Sequence, residues 1–243
     1  MPKPPRLPYI CQMNIEILFE DNHIVIVNKP NNVLIHNSYY ARNIKDETLL
    51  DLLFAQFGCH FYPVHRLDRK TSGVLMLAKQ KEDVSVFQEL FNANQIQKIY
   101  YGIVRGFVDL SVLVTSPVKN PDTKVYKDAE TFCEPIHTKL LDIPVIPYEN
   151  SRYSLVKLTP ATGRMHQLRI HMNKISHPIV GDYKYGDRFH NRMFENEFDC
   201  ENLFLHAYSL HFTQPITHEK IGLNASFPND WGKVFKLFDW DFE

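Results

Sequence analysis

Apolar and polar positions follow two periods along this chain. "IEILFED" (15–21) and "HIVIVNKP" (23–30) are β-branched apolar runs. The turn-prone pair Asp21-Asn22 separates them, which predicts a β-hairpin. "ETLLDLLFAQFG" (47–58) carries Leu49, Leu50, Leu52, Leu53 and Phe57 before Gly58, which predicts a helix with a glycine stop. "SGVLMLAK" (72–79) reads as a buried strand. "KEDVSVFQELFNANQ" (81–95) sets Val84, Phe87, Leu90 and Phe91 on one helical face. "KIYYGIVRG" (98–106) and "YSLVKLTP" (153–160) read as strands, with only strand fragments, prolines and turn residues between 110 and 150. "RMHQLRIHMNKIS" (164–176) places Met165, Leu168, Met172 and Ile175 at helical spacing. Two more strands, "HAYSLHF" and "IGLNASF", precede a short helix, "DWGKVFKLF". Strands outnumber helices and hairpin-like neighbours recur, so the fold class is α+β with a largely antiparallel sheet.

The pattern shows neither an internal repeat nor a clean linker. Residues 1–12 are proline-rich and are expected to be extended or disordered. Residues 13–243 read as a single domain. Of the 243 residues 44% are hydrophobic and 23% charged, the balance of an ordinary globular protein. No run of about 18 apolar residues predicts a transmembrane helix, and the N-terminus has no apolar core of a secretory signal. A cytoplasmic protein without membrane attachment is therefore expected. Cys11, Cys59, Cys133 and Cys200 are scattered without a C-x-x-C, so they are expected to be reduced thiols.

Charge adds one feature. The net charge is −1, which argues against whole-molecule attraction to nucleic acid. Yet Ser151–Gly181 holds no Asp or Glu, while carrying Arg152, Lys157, Arg164, Arg169 and Lys174. Such a segment can present a local positive face to phosphates. On charge alone, a solvated helix face reads equally well.

Three places can carry chemistry. In "YPVHRLDRKTSGVLMLAK" (62–79), Asp68 lies among His65, Arg66, Arg69 and Lys70. Nearby cations favour the ionised carboxylate, which suits a nucleophile or a base; a salt-bridged surface loop is the plainer alternative. An extended backbone would put Arg66 and Asp68 on one side. Gly73 would allow a sharp turn, and Thr71 and Ser72 could cap it. In "TGRMHQLRIHMNKISHPIVGD" (162–182), Gly163 and Arg164 precede a helix start suited to an anion, with Arg169 about one turn further in. His166 and His171 are five apart, on different helix faces, which does not suit a metal pair. Tyr100 and Tyr101 face opposite sides of a strand, so one can line a cleft and stack on a base, or both can pack the sheet. No P-loop, G-x-S-x-G or H-E-x-x-H is present.

"HRLDRKTSG", "KIYYGIVRG" and "TGRMHQLRIHMNKISHPIVGDYKYG" together resemble the signatures of the RluA family of pseudouridine synthases. Gly102 stands where that family usually has Ala. The opening "ILFEDNHIVIVNKP" resembles its first hairpin. Within the family the chain is most similar to the TruC branch, the tRNA pseudouridine-65 synthases. That rests on the absence of room for an S4 domain, on "LIHNSYYARNIKDETLL", and on "GDYKYGDRFHNRMF", where Tyr185 replaces a histidine. The resemblance implies a pseudouridine-synthase fold: a mixed, mainly antiparallel sheet with a central cleft flanked by helices and loops. It implies an isomerase acting on a uridine of RNA, tRNA favoured and ribosomal RNA possible, working as a monomer without cofactor or metal. A non-catalytic RNA-binding protein is the lesser alternative. By residue, it implies Asp68 as the catalytic group and Arg66 as the residue that displaces the target nucleotide. Tyr100 would pack against the base, Leu168 would line the pocket, and Arg169 would pair with the aspartate. The motif also carries Arg164, taken as an RNA contact.

Overall fold

The computed structural model describes residues 13–37, 46–120 and 123–242. The proline-rich segment 1–12 and residues 38–45 of the stretch after the first hairpin thus lie outside the described residues. β1 (Glu16–Glu20) and β2 (Ile24–Lys29) form the expected hairpin. Asp21 makes its turn, with Oδ1 accepting the amides of His23 and Ile24, both at 2.7 Å. α1 (Leu49–Phe57) opens on a capping box: Thr48 Oγ1 accepts the Asp51 amide and Asp51 Oδ2 accepts the Thr48 amide. Gly58, at φ 71°, ends it in the left-handed region.

β3 (Tyr62–Pro63) and β4 (Ser72–Ala78) follow, then α2 (Val84–Asn92), β5 (Gln97–Arg105), β6 (Val112–Thr115), β7 (Val118–Lys119), β8 (Tyr126–Lys127), β9 (Glu130–Leu141) and β10 (Ser151–Pro160). The chain then forms α3 (Gln167–Lys174), α4 (Arg188–Phe198), β11 (Leu205–Thr213), β12 (Lys220–Asn224) and α5 (Asn229–Phe238). The main sheet runs β1-β2-β4-β11-β5-β10-β9-β6, with β12 on β11 and β3 on β4; β7 and β8 pair separately. Its pairs are antiparallel except β4 with β11, where Ser72 faces His206 and Gly73 faces Ala207.

The sheet is covered on both faces, which explains its unbroken apolar runs. Along β2 and β4, Ile24, Ile26, Val74 and Met76 pack with Phe87 and Leu90 of α2. The alternate residues Val25, Val27, Leu75 and Leu77 pack with Leu49 and Leu53 of α1. Further along, Ile103, Tyr153 and Leu155 meet Phe194 of α4 and Trp231 of α5, while Val104, Val156 and Leu158 meet Leu168 and Met172 of α3.

Two sequence expectations need correction, and one helix was missed. The helix expected to begin just after Gly163 and Arg164 does so, at Gln167, but Met165, expected on its apolar stripe, lies in the loop before it and is exposed. α4 was not visible in the pattern because its buried residues include His190 and Asn191 beside Met193 and Phe194. The strand fragments of 110–150 include one long strand, β9. Its Pro135 lies past the end of β6, where β9 is an edge strand and the missing amide leaves no ladder gap.

Candidate active site

Two chain segments meet over the central strands β4, β11 and β5. The first is the 64–71 connection into β4. It is a bend followed by a turn, closed by the Thr71 amide donating to Asp68 O at 3.1 Å. Leu67 is buried in the core while Arg66 is exposed and the Asp68 side chain is 21% exposed. Gly73 lets this connection sit close to β11. At φ 108° it occupies backbone space that side chains disfavour, and a Cβ there would lie 2.1 Å from Ala207 O.

Lys29, at the end of β2, ties the connection down from below. Its fully buried ammonium donates to Pro30 O, Val33 O and Arg69 O at 2.7–3.0 Å. Burial pulls its pKa down to about 7, against the pull of Asp68.

The second segment is the loop and helix 160–174. Gln167, buried, organises the loop: its Oε1 accepts Thr162 Oγ1–H at 2.7 Å and the Arg164 amide at 3.0 Å. Arg169, the third residue of α3 and buried, reaches both acids of the site. Its Nη1 donates to Asp68 Oδ2 at 2.9 Å, and Nε and Nη2 donate to the two oxygens of Asp182 at 2.7 and 2.8 Å. Burial alone would disfavour this charge, but the Asp182 hydrogen bonds and both carboxylates outweigh it and push the guanidinium pKa up. Asp182 is also buried, yet its pairing with Arg169 and the amides of Tyr185 and Lys184 holds its carboxyl below the usual range.

Between the segments lies a cavity of about 380 Å³. Asp68, Arg66, Tyr100, Arg164, Leu168 and Arg169, the six residues singled out in the sequence, all line it. Tyr100 packs between two core clusters, and burial, then Asp68, push its phenol pKa up. Tyr101 turns the other way, into the aromatic cluster with Tyr208, Phe227 and Phe242. Arg164 reaches the rim with its Nε on Asp128 O at 3.1 Å. Among the described residues, no group of three or more His, Cys, Asp or Glu is placed to hold a metal ion.

The sequence neighbours of Asp68 are not its partners. Arg69 pairs with Asp46 and donates to Asn32 O. Lys70 lies 4.2 Å over the Tyr183 ring. His65 accepts the Met76 amide and stacks on Phe91. The turn at 68–71 splays these side chains apart, and the ion pair comes from Arg169, 101 positions away. Asp182 was missed as a site residue. Its signal was the acid-free stretch itself: Asp182 is the first carboxylate after Ser151–Gly181, and a buried guanidinium needs one.

The family described as RNA pseudouridylate synthase matches residues 23–174. The tRNA pseudouridine synthase C of Vibrio parahaemolyticus is 36% identical over 244 residues, covering 96% of this chain and 99% of that one. That of Haemophilus influenzae is 37% identical over 237 residues, covering 93% and 99%. Among solved structures, human RNA Pseudouridylate Synthase Domain Containing 1 superposes with a TM-score of 0.71 at 24% identity, covering 89% of this chain and 85% of that one. At that identity the likeness is one of fold.

Proposed function

The chain belongs to the RNA pseudouridylate synthase family, and we propose that it isomerises one tRNA uridine, at position 65, with Asp68 as nucleophile or base. The reaction breaks the N1–C1′ bond, turns the base and joins C5 to C1′. Every atom is conserved, so the proposal requires neither cofactor nor metal, and it takes the protein to be a cytoplasmic monomer. The observation that carries it is the Asp68 carboxylate held at 2.9 Å by a buried Arg169 in a cavity beside Tyr100.

Each lining residue then has a task. Unstacking the target nucleotide costs a few kcal/mol. Arg66, exposed at the cleft, can fill the vacated stack, and phosphate contacts from Arg164 and its basic segment offset the rest. Attack at C1′ and removal of the C2′ proton both start from the same carboxylate, which Arg169 holds in place. Leu168 and Tyr100 give the detached uracil an apolar slot in which it can rotate. Relatives named tRNA pseudouridine synthase C favour tRNA over ribosomal RNA as substrate. The test is to incubate the purified protein with tRNA and with ribosomal RNA fragments and map pseudouridine chemically. Modification at one tRNA site is expected; modification of ribosomal RNA alone, or of neither, would contradict it.

A further inference from the structure

Two histidines line the cleft, and only one is committed elsewhere. His65 uses Nε2 to accept the Met76 amide and its ring to stack on Phe91. His166 keeps an edge free. Its Nδ1 lies 3.0 Å from the Tyr185 hydroxyl, and its Nε2 faces Asp68 Oδ2 at 3.7 Å, too far for a hydrogen bond. The residue sits at the start of α3 with φ 57°, ψ 19°, a conformation that costs a residue with a side chain. It gives the helix no side-chain cap in return. The strained backbone instead delivers the ring to the cavity wall.

The isomerisation leaves one proton to be moved. Once C5 has bonded to C1′, it still carries its original hydrogen, and C6 is doubly bonded to N1. Resting on the pseudouridine synthase reading, we propose that His166 Nε2 is the base that removes this C5 proton, with Tyr185 positioning the ring by accepting the Nδ1–H. The C5–H electron pair becomes the C5=C6 double bond. The C6=N1 pair moves onto N1, which takes a proton from water. The imidazolium so formed faces Asp68, released by then from the sugar, and returns its proton to solvent.

Other groups in the cleft fit this step less well. Burial and Asp68 keep the Tyr100 phenol protonated, and Asp68 is already assigned the chemistry at the sugar. The charges facing His166 are Asp68 and Asp182 on one side of the balance and Arg169 and Lys184 on the other. Burial is the largest influence and lowers its pKa, which leaves the imidazole neutral, as a base requires.

Single-turnover pseudouridine formation on tRNA with and without deuterium at uridine C5 tests the assignment. His166→Gln is expected to slow the reaction by about 10²-fold or more and to raise the C5 deuterium isotope effect above that of the wild type, with RNA affinity retained. Tyr185→Phe should do the same to a smaller extent. A His166→Gln protein that reacts at the wild-type rate, or slows without a larger isotope effect, overturns the proposal. If that variant does not fold, Tyr185→Phe with a wild-type isotope effect overturns it. Turnover by the wild-type protein in the same assay keeps the wider reading separate from this one.

Discussion

Asp68 and Asp182 share one guanidinium, but they hold it under different conditions. Asp182, 1% exposed, takes two parallel hydrogen bonds from Arg169, whereas Asp68, 21% exposed, takes one. Removing the Asp182 charge leaves a buried cation without its main counter-ion, which costs about 3–5 kcal/mol. Removing the Asp68 charge leaves that buried pair intact and loses about one charged hydrogen bond, on the order of 2 kcal/mol. Asp182→Asn is therefore expected to lower the unfolding free energy by about 3–5 kcal/mol in urea titrations, clearly more than Asp68→Asn. Equal losses would mean that the two acids anchor Arg169 alike. The same contrast shows how the site is built: a buried pair fixes the cation, and the cation then presents itself to the group at the cleft wall.

The β4–β11 contact depends on Gly73 for a comparable reason. No side chain fits where a Cβ would lie 2.1 Å from Ala207 O, and the backbone there has φ 108°. Gly73→Ala must push the two central strands apart and is expected to cost about 2–4 kcal/mol. Gly58→Ala, at φ 71° with nothing within 4 Å, should cost about 1 kcal/mol. Urea midpoints of the two variants check this, and similar values would contradict it. Elements of this kind divide by how far the sequence revealed them. β2 and β4 were legible as unbroken apolar runs, because both their faces are covered, and α1 and α2 because their apolar residues recur at helical spacing. α4 was not, because His190 and Asn191 face inward and find polar partners: Tyr153 for one, the Gly181 amide and Asp182 carbonyl for the other. In the cleft, Asp68, Tyr100, Leu168 and Arg169 were legible as motif positions. The pairing of Arg169 with Asp182 and the support from Lys29 were not, since they join residues whose meeting depends on the tertiary fold. The cations beside Asp68 pointed the wrong way for the same reason: adjacency in a turn does not make contact.

The centre of the molecule also holds a titrating group that couples its stability to pH. His206 on β11 is buried, with Nδ1 2.8 Å from Ser72 Oγ and Nε2 3.3 Å from Ala225 O. Burial lowers its pKa from 6.5 to about 4, so the fold favours the neutral ring. The stabilisation is complete above pH 6.5 and is lost as pH falls towards 4. Between pH 7 and pH 5 the loss should be about 2 kcal/mol, smaller in His206→Asn; His65, lowered to about 3, adds in the same direction. Stability that stays flat over this range would contradict the burial of a neutral ring there. The chemistry assigned to the cleft stands on Asp68, and release of tritium from tRNA labelled at uridine C5 tests it most directly. Asp68→Asn is expected to bind the RNA and to release no tritium above background, while the wild type releases it at the modified site. Undiminished release from a folded Asp68→Asn protein would contradict the assignment.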